Sequence, residues 1–323
     1  MSLPFYLVNA FTLPTSPHSG NQAAVVVLPA SHPKEADDEW KQLTARDFNF
    51  AETAFVTKRE DGKWGLRWWT PAVEVTLCGH ATLAAATALF TLHPAESSVT
   101  FTTRWAGDLV ATRRTTPPSS GSETKPSLDV SISLPALDAE ALKNVDGSQT
   151  SQLFQDVTQL VLAAAPKLGG PDAVKDVFGF QWGGEDSVIV QLESSVDIAA
   201  LKVDLKTVLE ISKGLVILTQ VVPGESSSGR LVIRSRVFAP GVGIDEDPVT
   251  GAAHAFLTSY YTSPTIFAQL PSSVTEGSTP ETVVLDAYQM SERQGRLECR
   301  LEKGGRVELV GRGVIWGKGD LSL

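Results

Sequence analysis

Cysteine is scarce in this sequence, and long apolar runs are missing. Only Cys78 and Cys299 occur among 323 residues, too few for a disulfide framework or a structural zinc site. No stretch approaches the ~20 apolar residues that span a bilayer, and the N-terminal residues lack the basic start of a signal peptide. We therefore expect a cytoplasmic protein in a reducing compartment, with no membrane partner.

Basic residues are also in the minority. Lys and Arg number 27 against 37 Asp and Glu, a net charge of −10, which argues against nucleic acid and anionic membranes as partners. The patterns GxGxxG, P-loop, G-x-S-x-G and H-E-x-x-H do not occur. The acids at 245–247 lack the alternating ligands of a calcium loop. We expect neither a cofactor nor a metal.

The chain does contain enough apolar sequence for more than one core. Apolar residues make up 42% of it and charged residues 20%, and at ~150 residues per domain the length favours about two domains. A Pro-, Ser- and Thr-rich stretch without apolar residues follows Thr115. It divides the chain into a half at 1–115, a linker at 116–127 and a half at 128–323.

Both halves are rich in strands and poor in helices, which predicts an α+β fold rather than a regular βαβ array. Candidate strands are Phe5–Phe11, Ala23–Leu28, Ala51–Thr57, Trp64–Thr70, Val99–Thr103, Leu109–Arg113, Asp129–Leu134, Val188–Leu192, Leu215–Val221, Leu231–Phe238, Thr282–Tyr288 and Val307–Val310. Candidate helices are Pro33–Phe48 with Ser31 as its cap, Gln152–Ala164, Asp204–Ile211, and two that begin at Gly79 and near Thr250.

The halves share a pattern that indicates an internal duplication. An apolar strand ends before Pro71 in the first half and before Pro240 in the second. Seven residues later stand Cys78 and Asp247, each at the start of a small-residue helix. Because backbone N–H groups at a helix N-terminus attract anions, two facing helix starts predict a cleft that binds a carboxylate.

Glu52 is the first candidate for chemistry. In the strand around it, Ala54 and Val56 share its face while Ala51 and Phe55 occupy the other, so both faces are apolar. A desolvated carboxyl group has a raised pKa, which suits a general acid–base. The alternative is a strand-end Glu that points into solvent or pairs with an Arg.

Further candidates each have a structural alternative. Asp247 precedes Pro and a helix, which is also typical of a helix cap, and His80 has the alternative of a structural histidine. Cys78 at a helix start is a candidate thiolate or an inert buried thiol, whereas Cys299 is interpreted as packing. Asn21 lies in a turn where its amide can bind backbone or ligand.

Taken in order, these motifs resemble the PhzF-like isomerase family. They are SGN-x-AAVV ending at Val26, FN-x-AETAFV around Glu52, CGHATLAAA from Cys78, EDPVTGAA around Asp247, and Q-x-S-x-R-x-G-x-L from Gln289. The resemblance implies the diaminopimelate epimerase-like fold. That fold has two pseudo-symmetric halves, each with a curved, barrel-like mixed sheet around a central helix, and an active site in the cleft between them.

The resemblance also implies a function. The family's phenazine-pathway enzyme is a cofactor-independent isomerase of dihydro-3-hydroxyanthranilate, and family members commonly form homodimers. Its acid–base matches Glu52, and the assisting histidine and aspartate match His80 and Asp247. Related epimerases use two cysteines at the two helix starts. Here only Cys78 is present, so a two-thiol racemisation is not available. The expected substrate-binding residues are Asn21, Gly79, His80, Gly251 and Ala252.

Two positions depart from the family pattern. Ala252 stands where the family usually has a Ser, whose hydroxyl would help hold a substrate carboxylate. Gln294 stands where the family usually has a Gly. These departures bear on the substrate and leave two alternatives open beside the isomerase. One is a non-catalytic binding or regulatory protein that keeps the cleft. The other is a single-thiol amino-acid racemase that uses Cys78 with Asp247.

Overall fold

The computed structural model describes residues 2–115, 128–137 and 151–322. Its strands are β1 (Ser2–Ala10), β2 (Asn21–Leu28), β3 (Glu52–Lys58), β4 (Trp64–Trp69), β5 (Glu74–Val75), β6 (Ser98–Thr103), β7 (Asp108–Thr115), β8 (Leu128–Pro135), β9 (Val174–Trp182), β10 (Glu185–Leu192), β11 (Val216–Val221), β12 (Arg230–Phe238), β13 (Val284–Gln289), β14 (Gly295–Glu302) and β15 (Arg306–Ser322). Its α-helices are α1 (Asp38–Phe48), α2 (Gly79–Leu92), α3 (Gln152–Ala164), α4 (Leu205–Ile211), α5 (Gly251–Tyr261), α6 (Pro264–Phe267) and α7 (Ser272–Thr275).

Short 3₁₀ turns occur between these elements, at Pro33–Glu35, Pro166–Leu168, Pro171–Ala173, Ile198–Ala200, Pro223–Glu225 and Pro240–Val242. No helix among the described residues is long and apolar enough to cross a membrane.

The chain forms two compact units, Met1–Leu134 with Glu308–Leu323, and Pro135–Val307. These bounds differ from the halves expected from the sequence, because residues 128–134 and 308–323 belong to the first unit. Strand β8 pairs with β7, and β15 pairs with β1 over nine residue pairs from Ser2↔Ser322 to Ala10↔Gly313. Both strands complete the first sheet. The pairing of β15 with β1 joins segments that are far apart in sequence. The expected linker at 116–127 lies outside the described residues.

The first unit is a closed barrel. Among the described residues, eight strands follow one another in the order β1-β2-β3-β4-β6-β7-β8-β15, and β15 pairs back to β1. Helix α2 packs against β1, β2, β3 and β7, and its residues are buried from Gly79 to Phe90. A helix buried on all sides needs small apolar residues, which explains the sequence ATLAAATALF. At Gly313 the strand β15 lies so near α2 that an added Cβ would be 2.0 Å from Thr87 Oγ1.

The second unit also contains a sheet of mixed pairing and a buried helix. Its described residues contribute a sheet in the order β9-β10-β11-β12-β13-β14, and nearly all of α5 is buried. Helices α3 and α4 pack side by side. Their residues Val161 and Val208 form one apolar cluster with residues of β9, β10 and β11, among them Val190 and Leu218.

Strand pairing confirms the internal duplication. From β1 to β7 the pairings alternate as antiparallel, parallel, antiparallel, parallel, antiparallel along β1-β2-β3-β4-β6-β7. The series β9-β10-β11-β12-β13-β14 alternates in the same way. In each series one helix lies between the second and third strands, α1 in the first unit and α4 in the second. A buried helix lies between the fourth and fifth strands of each series, α2 before β6 and α5 before β13. Helices α2 and α5 are therefore topological equivalents, and the α+β prediction is confirmed.

The expected first helix is wrong at its start. Residues Pro33–Glu35 form a 3₁₀ turn, and α1 begins only at Asp38. Asp37 caps α1 by accepting a hydrogen bond from the Trp40 N–H at 2.9 Å, while Ser31 adopts a positive φ of 58° outside the helix. His32 caps the 3₁₀ turn by accepting the Lys34 N–H at 3.2 Å, and Asp37 caps α1, so Ser31 caps neither element.

Candidate active site

Asn21 and Glu52 lie at the same end of the first barrel and on the same face of its sheet. Each is the first residue of its strand, and β2 and β3 run parallel with Ala23 opposite Glu52. Residues opposite one another, and residues two apart in a strand, share a face. The sequence prediction for Glu52 is confirmed in its placement, because the side chain is buried with 6% exposure on a strand that is buried on both faces.

The turn before β2 explains why Asn21 sits there. Gly20 has a φ of +81°, and a Cβ at this position would lie 2.3 Å from the carbonyl oxygen of Ala10. Only glycine fits both conditions. Ser19 fastens the turn, since its hydroxyl donates to Ser16 O at 2.6 Å and accepts from the Leu13 N–H at 2.7 Å. The SGN motif is therefore a hydrogen-bonded turn that places Asn21 at the end of the barrel.

His80 meets Asn21 at the start of α2. The Asn21 amide Nδ2 lies 3.3 Å from His80 Nδ1, and Cys78 Sγ lies 3.3 Å from the same nitrogen. Cys78 is the N-cap of α2, and its side chain makes no capping hydrogen bond. The structure thus brings together three of the side chains singled out in the sequence, from a turn and a helix start that are 59 residues apart.

His80 is a neutral imidazole at physiological pH. Its complete burial lowers the pKa from 6.5 to about 4, because desolvation disfavours the charged form. Its Nε2 makes no hydrogen bond to the described residues. A neutral histidine with one nitrogen held by Asn21 and Cys78 can still exchange a proton or a hydrogen bond with a ligand at the other.

Helix α5 begins later than the repeat pattern predicted. Its N-cap is Thr250, and Gly251 is the first helical residue. Asp247 lies three residues before the N-cap, where its Oδ2 accepts the Thr250 hydroxyl at 2.5 Å. The equivalent of Cys78 by helix position is therefore Thr250, and pairing Cys78 with Asp247 was wrong. The loop before α5 is longer because it contains a 3₁₀ turn and the acidic residues.

Gln289 holds this loop, and sequence reasoning gave it no role. Its amide Nε2 donates to Asp247 O at 2.5 Å, and its Oε1 accepts the Thr250 N–H at 2.8 Å. Ser291 donates to Pro248 O at 2.7 Å. Both residues belong to the Q-x-S motif near the C-terminus. The side chains of this motif thus hold the EDPVTG segment in place.

The acidic run is tied into the second unit. Glu246 forms a two-pronged pair with Arg236, at 2.7 Å and 2.8 Å, and Asp247 bonds Thr250. No cluster of three or more His, Cys, Asp or Glu side chains suited to a metal ion occurs in the described residues.

The remaining candidates occupy the first turn of each central helix. Gly79 and His80 are the first two residues of α2, and Gly251 and Ala252 are the first two of α5. First-turn amides have no carbonyl partner within their own helix. Neither N-cap side chain takes them, whereas Asp37, Ser151 and Asp204 cap α1, α3 and α4. Cys299 is fully buried on β14, and burial holds the pKa of its thiol far above the usual value, which confirms a packing role.

The arrangement agrees with comparisons to known proteins. The sequence profile of the phenazine biosynthesis-like protein family matches residues 8–319. The chain belongs to this family. The phenazine biosynthesis-like domain-containing protein 1 of mouse is 32% identical, and an uncharacterized isomerase of Pseudomonas aeruginosa is 34% identical, each over 100% of both chains. This confirms the resemblance drawn from the motifs.

Solved structures agree with the family and the fold. A phenazine biosynthesis protein of Enterococcus faecalis superposes with a TM-score of 0.71 at 27% identity over 100% of both chains. A probable proline racemase of Agrobacterium radiobacter shares the fold with a TM-score of 0.53 at 13% identity, over 99% of this chain and 93% of its own. The epimerase-like fold of this phenazine biosynthesis-like protein is therefore confirmed.

One departure from the family pattern has a structural consequence in this phenazine biosynthesis-like protein. Gln294 has a φ of +56°, the left-handed region that favours glycine. Its N–H donates to Ser291 O at 3.2 Å and to Ser291 Oγ at 3.1 Å. The turn is the same one that supplies Ser291 to the loop before α5. This backbone conformation accounts for a glycine at this position.

Proposed function

We propose that this protein is a cofactor-independent isomerase that moves a proton between two carbons of a small carboxylate substrate, with Glu52 as the acid–base. Family membership and the epimerase-like fold support an isomerase- or epimerase-type activity. The observation that carries the finer proposal is Glu52 itself. It is a buried acid that begins β3, on the barrel face and at the barrel end that also present Asn21 to His80.

Glu52 is buried at the start of β3, where its side chain is largely removed from solvent. A carboxylate that takes a proton from one carbon and returns it to another must approach the carbon closely and without competing water. A rigid strand end supplies the positioning. The neutral His80, fixed by Asn21 and Cys78, is proposed to orient or protonate the substrate beside Glu52.

Asp247 and the start of α5 are proposed as further catalytic and substrate-binding groups. Asp247 is buried and fixed by Thr250 and Gln289, so it can orient a substrate group or supply a proton. The first-turn amides of α2 and α5 are proposed to bind carboxylate oxygens. Ala252, half-buried in that turn, offers no hydroxyl, so the substrate carboxylate would depend on backbone donors there.

Proton exchange tests this proposal directly. The wild type and Glu52→Gln are incubated in deuterated water with small carboxylates, including dihydro-3-hydroxyanthranilate and amino acids, and carbon-bound deuterium is followed by NMR. Exchange by the wild type and its loss in Glu52→Gln are expected. Glu308→Gln is the matched control, because Glu308 is another buried glutamate of the first unit, bonded to Arg114 and Ser131. Unchanged exchange in Glu52→Gln would refute the role of Glu52.

Cys78 supports a second candidate, single-thiol racemisation. Its sulfur lies 3.3 Å from His80 Nδ1 at the start of a helix, where the helix dipole stabilises negative charge. This candidate requires that Cys78→Ser abolish exchange at the α-carbon of an amino acid. Binding of a carboxylate without exchange, indifferent to Glu52 and Asp247, would instead favour a non-catalytic binding protein.

A further inference from the structure

The two central helices share a detail at their first turn. In α2 the carbonyl of the N-cap Cys78 accepts the Thr82 N–H at 3.1 Å and also the Thr82 hydroxyl at 2.6 Å. In α5 the carbonyl of the N-cap Thr250 accepts the His254 N–H at 3.2 Å and also the His254 Nδ1 at 2.8 Å. In both units, the fourth helical residue bonds the N-cap carbonyl twice.

The side-chain bond to the N-cap carbonyl also fixes the direction of the N–H group that follows it. A carbonyl and the N–H of the next residue belong to one planar peptide group. Anchoring the Cys78 and Thr250 carbonyls therefore also sets the direction of the Gly79 and Gly251 N–H groups. Both first residues are glycines, whose backbone has the widest freedom to rotate that peptide. Neither N-cap side chain restrains it by a capping bond.

The His254 ring is itself held in one tautomer. Because a carbonyl only accepts, Nδ1 carries the hydrogen, and Nε2 accepts the Ser235 hydroxyl at 3.0 Å. Ser235 and His254 are both fully buried, and burial lowers the pKa of His254 to about 4. The imidazole is therefore neutral at physiological pH, and its δ N–H is always available to the Thr250 carbonyl.

We infer that Thr82 and His254 are positioning residues that aim the N–H groups of Gly79 and Gly251 at the substrate carboxylate. This inference rests on the proposed function, in which those amides bind the carboxylate. The two units use different side chains at the same helix position for the same bond. Sequence comparison of the halves does not show this, because threonine and histidine have no chemical similarity other than a donor at the required distance.

Back-bonding by threonine within a helix is common, and α2 supplies its own comparison. Thr87 donates its hydroxyl to Leu83 O at 2.8 Å, the same bond five residues further along. Thr82 and Thr87 are both buried. Substitution by Val removes the same hydroxyl from the same helix with little change of shape, but only Thr82 bonds the carbonyl that precedes a first-turn glycine.

The test compares Thr82→Val with the matched control Thr87→Val. The amide signals of Gly79 and Gly251 are followed by ¹⁵N NMR during a titration with acetate, and the KM and kcat for proton exchange are measured beside it. Thr82→Val should weaken acetate binding at Gly79 and raise KM by about three- to tenfold, the effect of one lost hydrogen bond. Thr87→Val should leave acetate binding and KM unchanged. Thr82→Ser keeps the hydroxyl, so its acetate binding and KM should match those of the wild type.

The same logic applies to α5. His254→Asn keeps a donor near the δ position and should retain acetate binding at Gly251, whereas His254→Leu should lose it. Equal effects of Thr82→Val and Thr87→Val, or a wild type whose glycine amides do not respond to acetate, would overturn the inference. The acetate titration needs no turnover. A wild type that binds acetate at these amides but exchanges no proton would refute the proposed isomerase and leave the positioning roles standing.

Discussion

Acid should destabilise this protein through two buried histidines. His80 and His254 each have a pKa of about 4 in the folded chain because burial disfavours their charged forms, while an unfolded histidine titrates near 6.5. As the pH falls below 6.5 the unfolded chain binds more protons than the folded one, so the free energy of unfolding decreases until the folded pKa is reached. Their contribution is therefore fully present above pH 6.5 and is lost toward pH 4.

The magnitude follows from the two pKa values. Between about pH 7 and pH 5, each histidine should cost about 2 kcal/mol of unfolding free energy, and about 4 kcal/mol together. Carboxylates change the free energy of unfolding at lower pH than these histidines do. The Arg67 hydrogen bond, for example, holds the pKa of Asp38 at about 2, so its contribution is lost only as the pH falls below the normal range of an aspartate.

Urea unfolding at several pH values, followed by far-UV circular dichroism and tryptophan fluorescence, measures this dependence. His254→Asn should lose about half of the pH dependence, because it removes one titrating group. Thr258→Val is the matched control. It removes a buried hydrogen bond to the His254 carbonyl in the same helix and should lower stability equally at every pH. An unchanged pH dependence in His254→Asn would refute the assignment of a buried, neutral histidine.

Three further substitutions test local features of the fold and site. Gln294→Gly should raise the unfolding free energy by about 0.5–1 kcal/mol, since it relieves a left-handed residue at φ +56°; a lower thermal midpoint would contradict this. Gly20→Ala should lower it by about 2 kcal/mol or more, because the new Cβ would lie 2.3 Å from Ala10 O, and a wild-type melting curve would show that the turn rearranges freely. Cys78→Ser should keep proton exchange if Glu52 is the acid–base, and its complete loss would favour the thiol mechanism.

Much of the local structure was predictable because short-range patterns specify it. The expected α3 coincides with the observed helix, and α2 begins at Gly79 as expected, because a run of small apolar residues after a glycine predicts a buried helix. Glu52 was placed correctly because alternation along β3 shows which side chains share its face. Strand β9 was missed. Its residues do not alternate regularly, because Asp176, Val177 and Phe178 are buried in succession, and its pairing with β10 gives no signal within the strand itself.

Long-range contacts account for what the sequence could not show. Strand β15 closes the first barrel by pairing with β1 at the opposite end of the chain, so a linear division into halves assigned it to the wrong unit. The helix expected near Thr250 does begin there, but the repeat pattern placed Asp247 at its start because equal loop lengths were assumed. Helix α5 starts eleven residues after Pro240, whereas α2 starts eight after Pro71. The bonds from Gln289 to Asp247 and Thr250 join segments about 40 residues apart, which no periodicity reveals.

The duplicated topology has kept its backbone and changed its side chains. Both units retain a glycine at the first turn of the central helix and a doubly bonded N-cap carbonyl, so each can offer the same amide donors. The acid–base candidate is not duplicated. Strand β11 occupies the place of β3 in the second unit, and its residues, VILTQV, include no acid. A symmetric pair of bases would favour racemisation by opposed proton transfers. The buried acid of the second unit, Asp247, lies on the loop before α5 and not on the strand equivalent to β3, so the two units do not present a symmetric pair of bases. This asymmetry supports the proposed transfer of one proton between two carbons of the same substrate.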